Sequence, residues 1–295
     1  MKNKTELVLG TAQWGSKYGI TNKTGKISSL EISKIFKYCI KNKIRILDTA
    51  RDYGKSEKII GEFNKKNSIK IKTISKIKNF GFLNKNFDKK KIKELILKSN
   101  RNILQDSIEG MLIHDDNLIK NKYFTDLWDI LLELKKEKKI KKIGISTYKN
   151  NIDKKIIQKY KFDIVQLPFN IYDQSRSENG FLKKLKDNNV EIHARSVFLQ
   201  GIILQNYKSL SGIFSVIKEH QKKMHHFFES QGITIIEGCL RAILQNQNIS
   251  KVIVGCDNVL QLEEIHHKFL KIKNSNQNIR LKKFAINNKK IINPS

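Results

Sequence analysis

Asp48, Lys76 and His114 each close an apolar run: "IRILDTA" (44–50), "IKIKTISK" (69–76) and "SIEGMLIH" (107–114). Tyr53 follows Asp48 in "ILDTARDYGKSE", beside Gly54. A carboxylate, a phenol, an ammonium and an imidazole make a proton-transfer set once a fold gathers them. Taken singly, each has a plainer reading: a turn cap, a half-buried loop aromatic, a solvated lysine, a polar loop histidine. What decides the matter is whether the elements around them bring the four together.

Those elements repeat. "ELVLGTA" (6–12) reads as a strand and "SSLEISKIFKYCIKN" (28–42) as a helix, with Ser28 and Glu31 as a capping box and Ile32, Ile35, Phe36, Cys39 and Ile40 on one stripe. The strand 44–50 leads to a helix over 56–63, Ser56 its N-cap, and the strand 69–76 to a helix over 90–104. Strands over 107–114, 140–146, 162–169, 190–196 and 251–255 follow. They alternate with helices over 122–138, 149–159, 180–188, 215–231, 234–247 and 258–270. Eight strands, each followed by helix and without a Pro/Gly/Ser linker, predict α/β architecture: a single (β/α)8 TIM barrel over 1–295. Residues 271–295 form a weakly patterned basic tail, and its final stretch "INNKKIINPS" (286–295) reads as a frayed end or as a segment crossing the barrel mouth. An open doubly wound sheet is the alternative, but "GTAQWGSKYG" after the first strand does not fit its glycine fingerprint. In a barrel, chemistry belongs where strands end and loops begin.

Composition narrows the function classes. With 39% hydrophobic and 29% charged residues the chain reads as soluble, and no apolar run reaches the ~20 residues of a membrane span. The N-terminus lacks a signal-peptide pattern. Cys39, Cys239 and Cys256 sit among apolar neighbours with no CxxC, which predicts free buried thiols and a cytoplasmic setting. The net charge of +30 is almost all scattered lysine. Nucleic-acid interfaces favour arginine for bidentate contacts, so specific nucleic-acid binding is not expected.

The stretch "LDTARDYGKSE" matches the pattern D-T-A-x-x-Y-G-x-S-E, and the chain from "LGTAQWG" to "VIVGCDNVLQLEE" resembles the aldo-keto reductase superfamily. The later elements agree in order: Lys76, His114, "IGIS" and "VQLPFN". The resemblance implies a metal-free carbonyl reductase, monomeric or weakly oligomeric, using NADPH or NADH on a small carbonyl substrate. Its tetrad would be Asp48, Tyr53, Lys76 and His114. Tyr53 would be the general acid, Lys76 would lower its pKa, Asp48 would anchor Lys76, and His114 would orient the substrate oxygen. Ser146 and Gln166 would hold the nicotinamide carboxamide. Thr147 stands where many relatives have asparagine, and Arg195 where many stack a tyrosine on the nicotinamide. Gly255, Asn258 and Gln261 would serve the pyrophosphate and ribose at a helix N-terminus. Asp257 replaces an expected basic residue, which disfavours the 2′-phosphate of NADPH. Trp14 and Tyr18 are candidates for the substrate pocket or for loop packing. "EIHARSVFLQGIIL" is similar to relatives in bacterial surface-sugar biosynthesis, implying a sugar-derived carbonyl. A non-catalytic, cofactor-sensing relative is the rival reading. The pairs His225–His226 and His266–His267 point about 100° apart on helices and suit a metal poorly.

Overall fold

Parallel pairing of short apolar strands sets the architecture. The computed structural model describes residues 4–22, 25–67, 71–78, 87–275 and 278–294. Its strands are β1 (Glu6–Gly10), β2 (Ile46–Asp48), β3 (Lys72–Ile77), β4 (Ile108–Ile113), β5 (Ile140–Ser146), β6 (Ile164–Pro168), β7 (Glu191–Arg195) and β8 (Lys251–Val254). Each pairs in parallel with the next, and β8 returns to β1 from Glu6↔Lys251 to Leu9↔Val254. The barrel is closed, as the strand–helix alternation predicts, and there is no open doubly wound sheet.

Helices cover the outside of the cylinder. Ser29–Lys41 buries Ile32, Ile35, Phe36 and Cys39, and Phe124–Lys136 buries Phe124, Leu127, Trp128, Leu131 and Leu134. Strands sandwiched between helices and barrel interior must be apolar on both faces, and β4 and β6 are buried at every position. Between strands β5 and β6 the backbones press together at Gly144, where a Cβ would lie 1.9 Å from the Ile164 carbonyl oxygen.

Several boundaries differ from expectation. β1 stops at Gly10 and a short helix, Ala12–Gly15, takes over. Lys55, not Ser56, is the N-cap of Ser56–Lys66, because the Ser56 hydroxyl is buried and bonded to Thr11. The helix expected over 149–159 is only Lys154–Tyr160, capped by Asp153. The start of the helix expected over 215–231 is a 3-10 turn, Gly212–Ile217, ahead of Lys218–Ser230. Residues 69 and 70 of the third expected strand, and residues 1–3, 276, 277 and 295, lie outside the described residues. The tail is docked rather than frayed. Ile279, Leu281, Phe284 and Ile291 are buried, the Ile286 N–H donates to the Tyr172 carbonyl, and Gln200 Nε2 donates to the Pro294 carbonyl. All three cysteines are free and buried, and burial pushes the Cys39 thiol up to about 12. Among the described residues no helix is long and apolar enough to cross a membrane.

The barrel interior is layered. Val8, Ile46, Ile74, Leu112, Ile164 and Ile253 form an apolar plug. Near the strand N-terminal ends is a charged ladder: Lys251 with Glu6 at 2.6 Å, Lys142 with Glu191 at 2.8 Å, and the His193 ring with Glu191 at 3.3 Å. Burial alone would raise the Glu191 pKa, but the bonds to His193 and Lys142 and the Lys251 charge outweigh it and hold Glu191 at about 2. A carboxylate depressed on folding contributes stability above its unfolded pKa and loses it as pH falls through the folded one. The unfolding midpoint of the protein should therefore fall as pH drops from 4.5 to about 2. Glu191→Gln should be less stable at neutral pH, and its deficit should shrink across that window. A deficit independent of pH would remove Glu191 from the acid response.

Candidate active site

The strand ends meet as the barrel requires. Asp48 is the last residue of β2, and Lys76 the penultimate residue of β3. The Lys76 side chain is fully buried, and its Nζ donates to Asp48 Oδ1 at 2.5 Å and to the Thr49 carbonyl at 2.8 Å. The second Asp48 oxygen accepts from Gln166 Nε2 at 2.7 Å. Burial pulls the Lys76 pKa down, and the Asp48 charge works against it. The Lys76 ammonium lies 5.3 Å from the centroid of the Tyr53 ring. His114 follows β4 and meets that ring edge-on, centroids 6.2 Å apart. All four tetrad residues are thus gathered.

Main chain and buried hydroxyls hold Tyr53 in place. Gly54 has φ +57°, and its loop presses on Gly15 so closely that a Cβ on Gly15 would lie 1.6 Å from the Tyr53 carbonyl oxygen. Ser56 Oγ donates to Thr11 Oγ1 at 2.8 Å, and Thr49 Oγ1 donates to Ser56 Oγ at 3.0 Å. Glu57, buried, accepts from Ser75 at 2.6 Å and from Asn102 at 2.9 Å. These hydroxyls and this carboxylate tie the ends of β1, β2 and β3 together.

The electrostatics depart from expectation in one respect. Burial raises the Tyr53 phenol pKa, and the Asp48 charge adds to this; the Arg195 guanidinium works in the opposite direction. The Tyr53 pKa lies above its ordinary value, so the phenol keeps its proton at neutral pH. Burial, helped by repulsion from Lys76 and Arg195, pushes the His114 imidazole down to about 3. His114 is therefore neutral under ordinary conditions, and its Nδ1 is buried without a hydrogen-bond partner.

A cavity of about 500 Å³ opens beside this cluster. Tyr18, Asp48, Tyr53 and Arg195 are among its lining residues, and so are Gly255, Asp257, Gln261 and Glu264. Trp14 is not in its wall: only 2% exposed, it packs in the core between barrel and helices. Asn258 is the N-cap of Val259–Lys273, accepting from the Gln261 N–H at 2.9 Å. Ser146 Oγ and Gln166 Oε1 are buried with no partner. Two orphaned polar atoms, at the end of β5 and in the middle of β6, fit a carboxamide, which brings both a donor and an acceptor.

Some participants escape sequence reasoning. Thr147 donates its hydroxyl to Asp116, which also accepts from the Tyr148 N–H at 3.0 Å. Arg176, buried against Asp173, donates to the Tyr148 carbonyl at 2.7 Å. Tyr148 is thereby fixed, and the Arg195 guanidinium stacks on its ring at 4.1 Å. Each link crosses between loops after different strands, and no local spacing announces it. The histidine pairs have ordinary neighbours: His266 bonds Tyr38 at 3.1 Å, and His225 and His226 pack on Tyr207.

The chain is similar to known proteins over most of its length. The model of the Aldo/keto reductase family matches residues 6–284. The uncharacterized oxidoreductase YqkF of Bacillus subtilis (strain 168) is 24% identical over 239 residues, 75% of this chain and 76% of that protein. The holo form of the aldo-keto reductase AKR11C1 from Bacillus halodurans superposes with a TM-score of 0.74 at 18% identity, over 95% of this chain and 92% of that one. The glycerol dehydrogenase AKR11B4 from Gluconobacter oxydans gives 0.69 at 17% identity, over 94% and 88%.

Two outcomes test the site. Removing one partner of a buried ion pair typically costs about 3–5 kcal/mol, whereas replacing both with apolar residues is often near neutral. Asp48→Leu should destabilise by that order in denaturant unfolding, and adding Lys76→Met should recover most of the loss. The His114 ring protons should show no titration step between roughly pH 5 and 8, where a free histidine changes charge; an NMR pH series reads this directly.

Proposed function

The chain belongs to the aldo/keto reductase family, and from that premise we propose that it reduces an aldehyde or ketone to an alcohol with NADH or NADPH. When bound, the reduced nicotinamide supplies the hydride. The protein's own groups supply the proton and hold the reactants. One observation carries the proposal: the protonated Tyr53 phenol lies beside the buried Lys76–Asp48 pair, at the wall of a cavity of about 500 Å³.

In this reading Tyr53 is the general acid. The oxygen of a carbonyl that gains hydride becomes an alkoxide, far more basic than a phenolate, so the proton leaves Tyr53 even though burial has raised its pKa. The negative charge left on Tyr53 is stabilised by the Arg195 guanidinium and by the Lys76 ammonium close to its ring. Asp48 keeps Lys76 charged and in register. His114, neutral, is suited to donate a hydrogen bond to the substrate oxygen and orient it without competing for the Tyr53 proton. Ser146 and Gln166 would hold the nicotinamide carboxamide. The cavity wall also carries Gln13, Thr21, Asn22, Gln200 and Gln205. Such amides and hydroxyls suit a hydroxylated substrate, which supports a sugar-derived carbonyl. The buried free thiols support a cytoplasmic setting.

Tyr53→Phe keeps the ring and removes the acid. It should bind reduced nicotinamide nucleotide as wild type does, read by cofactor fluorescence, and lose about 10²–10⁴-fold in aldehyde reduction. Full turnover in this variant would remove Tyr53 from the mechanism. Tight nucleotide binding by wild type with no reduction of any aldehyde tested would favour a cofactor-sensing relative.

A further inference from the structure

Two arginines flank Tyr148, and they differ in how far their donors are used. Arg176 donates from all three nitrogens: Nε to the Lys149 carbonyl at 3.2 Å, Nη1 to the Pro168 carbonyl at 3.0 Å and to Asp173 at 2.5 Å, and Nη2 to the Tyr148 carbonyl at 2.7 Å. Among the described residues Arg195 makes a single long hydrogen bond, from Nη1 to Ser196 Oγ at 3.3 Å, and no ion pair with a carboxylate. Its Nε and Nη2 are buried without an acceptor. These two nitrogens carry the parallel N–H bonds of one edge of the guanidinium, the fork that fits both oxygens of a carboxylate. A guanidinium stays charged at any ordinary pH, and its buried donors cost free energy while they are unpaired.

The fork sits beside the chemistry. Arg195 lines the same cavity as Asp48, Tyr53 and Tyr18, and its charge acts on Tyr53, Tyr18, Lys76 and His114. None of these neighbours neutralises it. Asp48 is committed to Lys76 and Gln166, both phenols keep their protons, and His114 is neutral. Asp257 and Glu264, the other carboxylates of the cavity wall, make no bond to it. With Lys76 balanced by Asp48, Arg195 gives the cluster one uncompensated positive charge. The Tyr148 ring, 4.1 Å from the guanidinium, sets its plane. Stacking leaves the angle within that plane adjustable, so a small rotation at the expense of the Ser196 contact turns the fork to the cavity. One face is thereby taken, and an oxidised nicotinamide ring is itself cationic, so Arg195 is ill suited to stack on it as a tyrosine would.

We infer that Arg195 is a substrate-anion site, and that the carbonyl compound reduced here is an oxo acid whose carboxylate is held side-on by Nε and Nη2. A carboxylate matches both the single charge and the planar fork. The amides and hydroxyls of the cavity wall narrow the class to sugar acids. The inference rests on the carbonyl reductase reading above and leaves its chemistry unchanged: hydride goes to the carbonyl carbon, the Tyr53 proton goes to its oxygen, and the carboxylate is unaltered. Arg195 adds a second fixed point on the substrate besides the carbonyl oxygen.

The test compares acids with their neutral amides: D-glucuronate with D-glucuronamide, and 4-oxobutanoate with 4-oxobutanamide, as kcat/KM at saturating reduced nucleotide and fixed ionic strength. Wild type should favour an acid over its amide by at least about tenfold, the size of a charge-assisted contact. Arg195→Gln should bring that ratio close to one. Arg195→Lys, which keeps the charge and loses the fork, should leave it in between. The ratio cancels any loss common to acid and amide, so weaker support of the Tyr53 phenolate does not mimic the result. Equal use of acid and amide by wild type, or an unchanged ratio in the folded variants, overturns the inference and leaves the reductase reading standing. So does a preference for glyceraldehyde 3-phosphate over glyceraldehyde with none for either acid, which would assign the fork to phosphate. If no aldehyde is reduced, the reductase reading falls and calorimetry decides the anion site alone. D-glucuronate should then still bind more tightly than D-glucuronamide, and lose that advantage in Arg195→Gln; equal binding by wild type removes the site as well.

Discussion

A lysine ammonium with no exposure to water is the constraint around which this barrel is organised. An ion of that size costs several kcal/mol to bury even after relaxation, and an isolated one would not remain charged. Lys76 survives because Asp48 ends the adjacent strand and the Thr49 carbonyl accepts a second bond. Neither partner would be in reach if β2 and β3 slipped by one residue, since a single step turns every side chain to the other face. The pairing Asp48↔Ile74 fixes that register. Gln166, reaching across the barrel from β6, occupies the other Asp48 oxygen, so the pair is tied to the far wall as well. The apolar plug beneath it keeps the polar layer at the mouth separate from the charged ladder at the opposite end.

The motif around Asp48 divides into two kinds of residue. Asp48 and Tyr53 face the cavity; Thr49, Ser56 and Glu57 do not, and their hydrogen bonds run sideways to β1, β3 and a neighbouring helix. A buried hydroxyl or carboxylate without partners is costly, so this frame is stable only when all of its members are present. Conversely, the frame fixes the loop after β2 through groups of which only Thr11 also lines the cavity. The loops after β4, β5 and β6 are handled differently, through Asp116 and Arg176 bonding to the backbone of Tyr148.

Much of this was legible in the sequence. Periodicity located all eight strands, because strands covered on both sides leave unbroken apolar runs, and the strand ends named Asp48, Lys76 and His114 before any coordinates. What escaped reading was long-range. Ser28 and Glu31 have the spacing of a capping box, and Ser28 does accept from the Glu31 N–H, but the Glu31 carboxylate leaves its own helix for Val259. Ser56 has the composition of an N-cap and spends its hydroxyl on Thr11. Trp14, next to the mouth in sequence, turns inward to the core. The segment from Phe198 to Ile217 has no clear period, and it folds as successive 3-10 turns. A spacing rule sees only the nearest available partner; the fold supplies others hundreds of positions away.

Where Gly15 meets Gly54, peptide touches peptide with no side chain between them. Contacts of that kind are blind to the identity of the neighbouring residues. The amino acids around the rim can drift over generations without carrying the phenol out of place, provided that the two glycines persist. Adaptation to a new substrate is therefore freer in the loops after β7 and β8 than in the loop after β2, where even a single methyl group has no room.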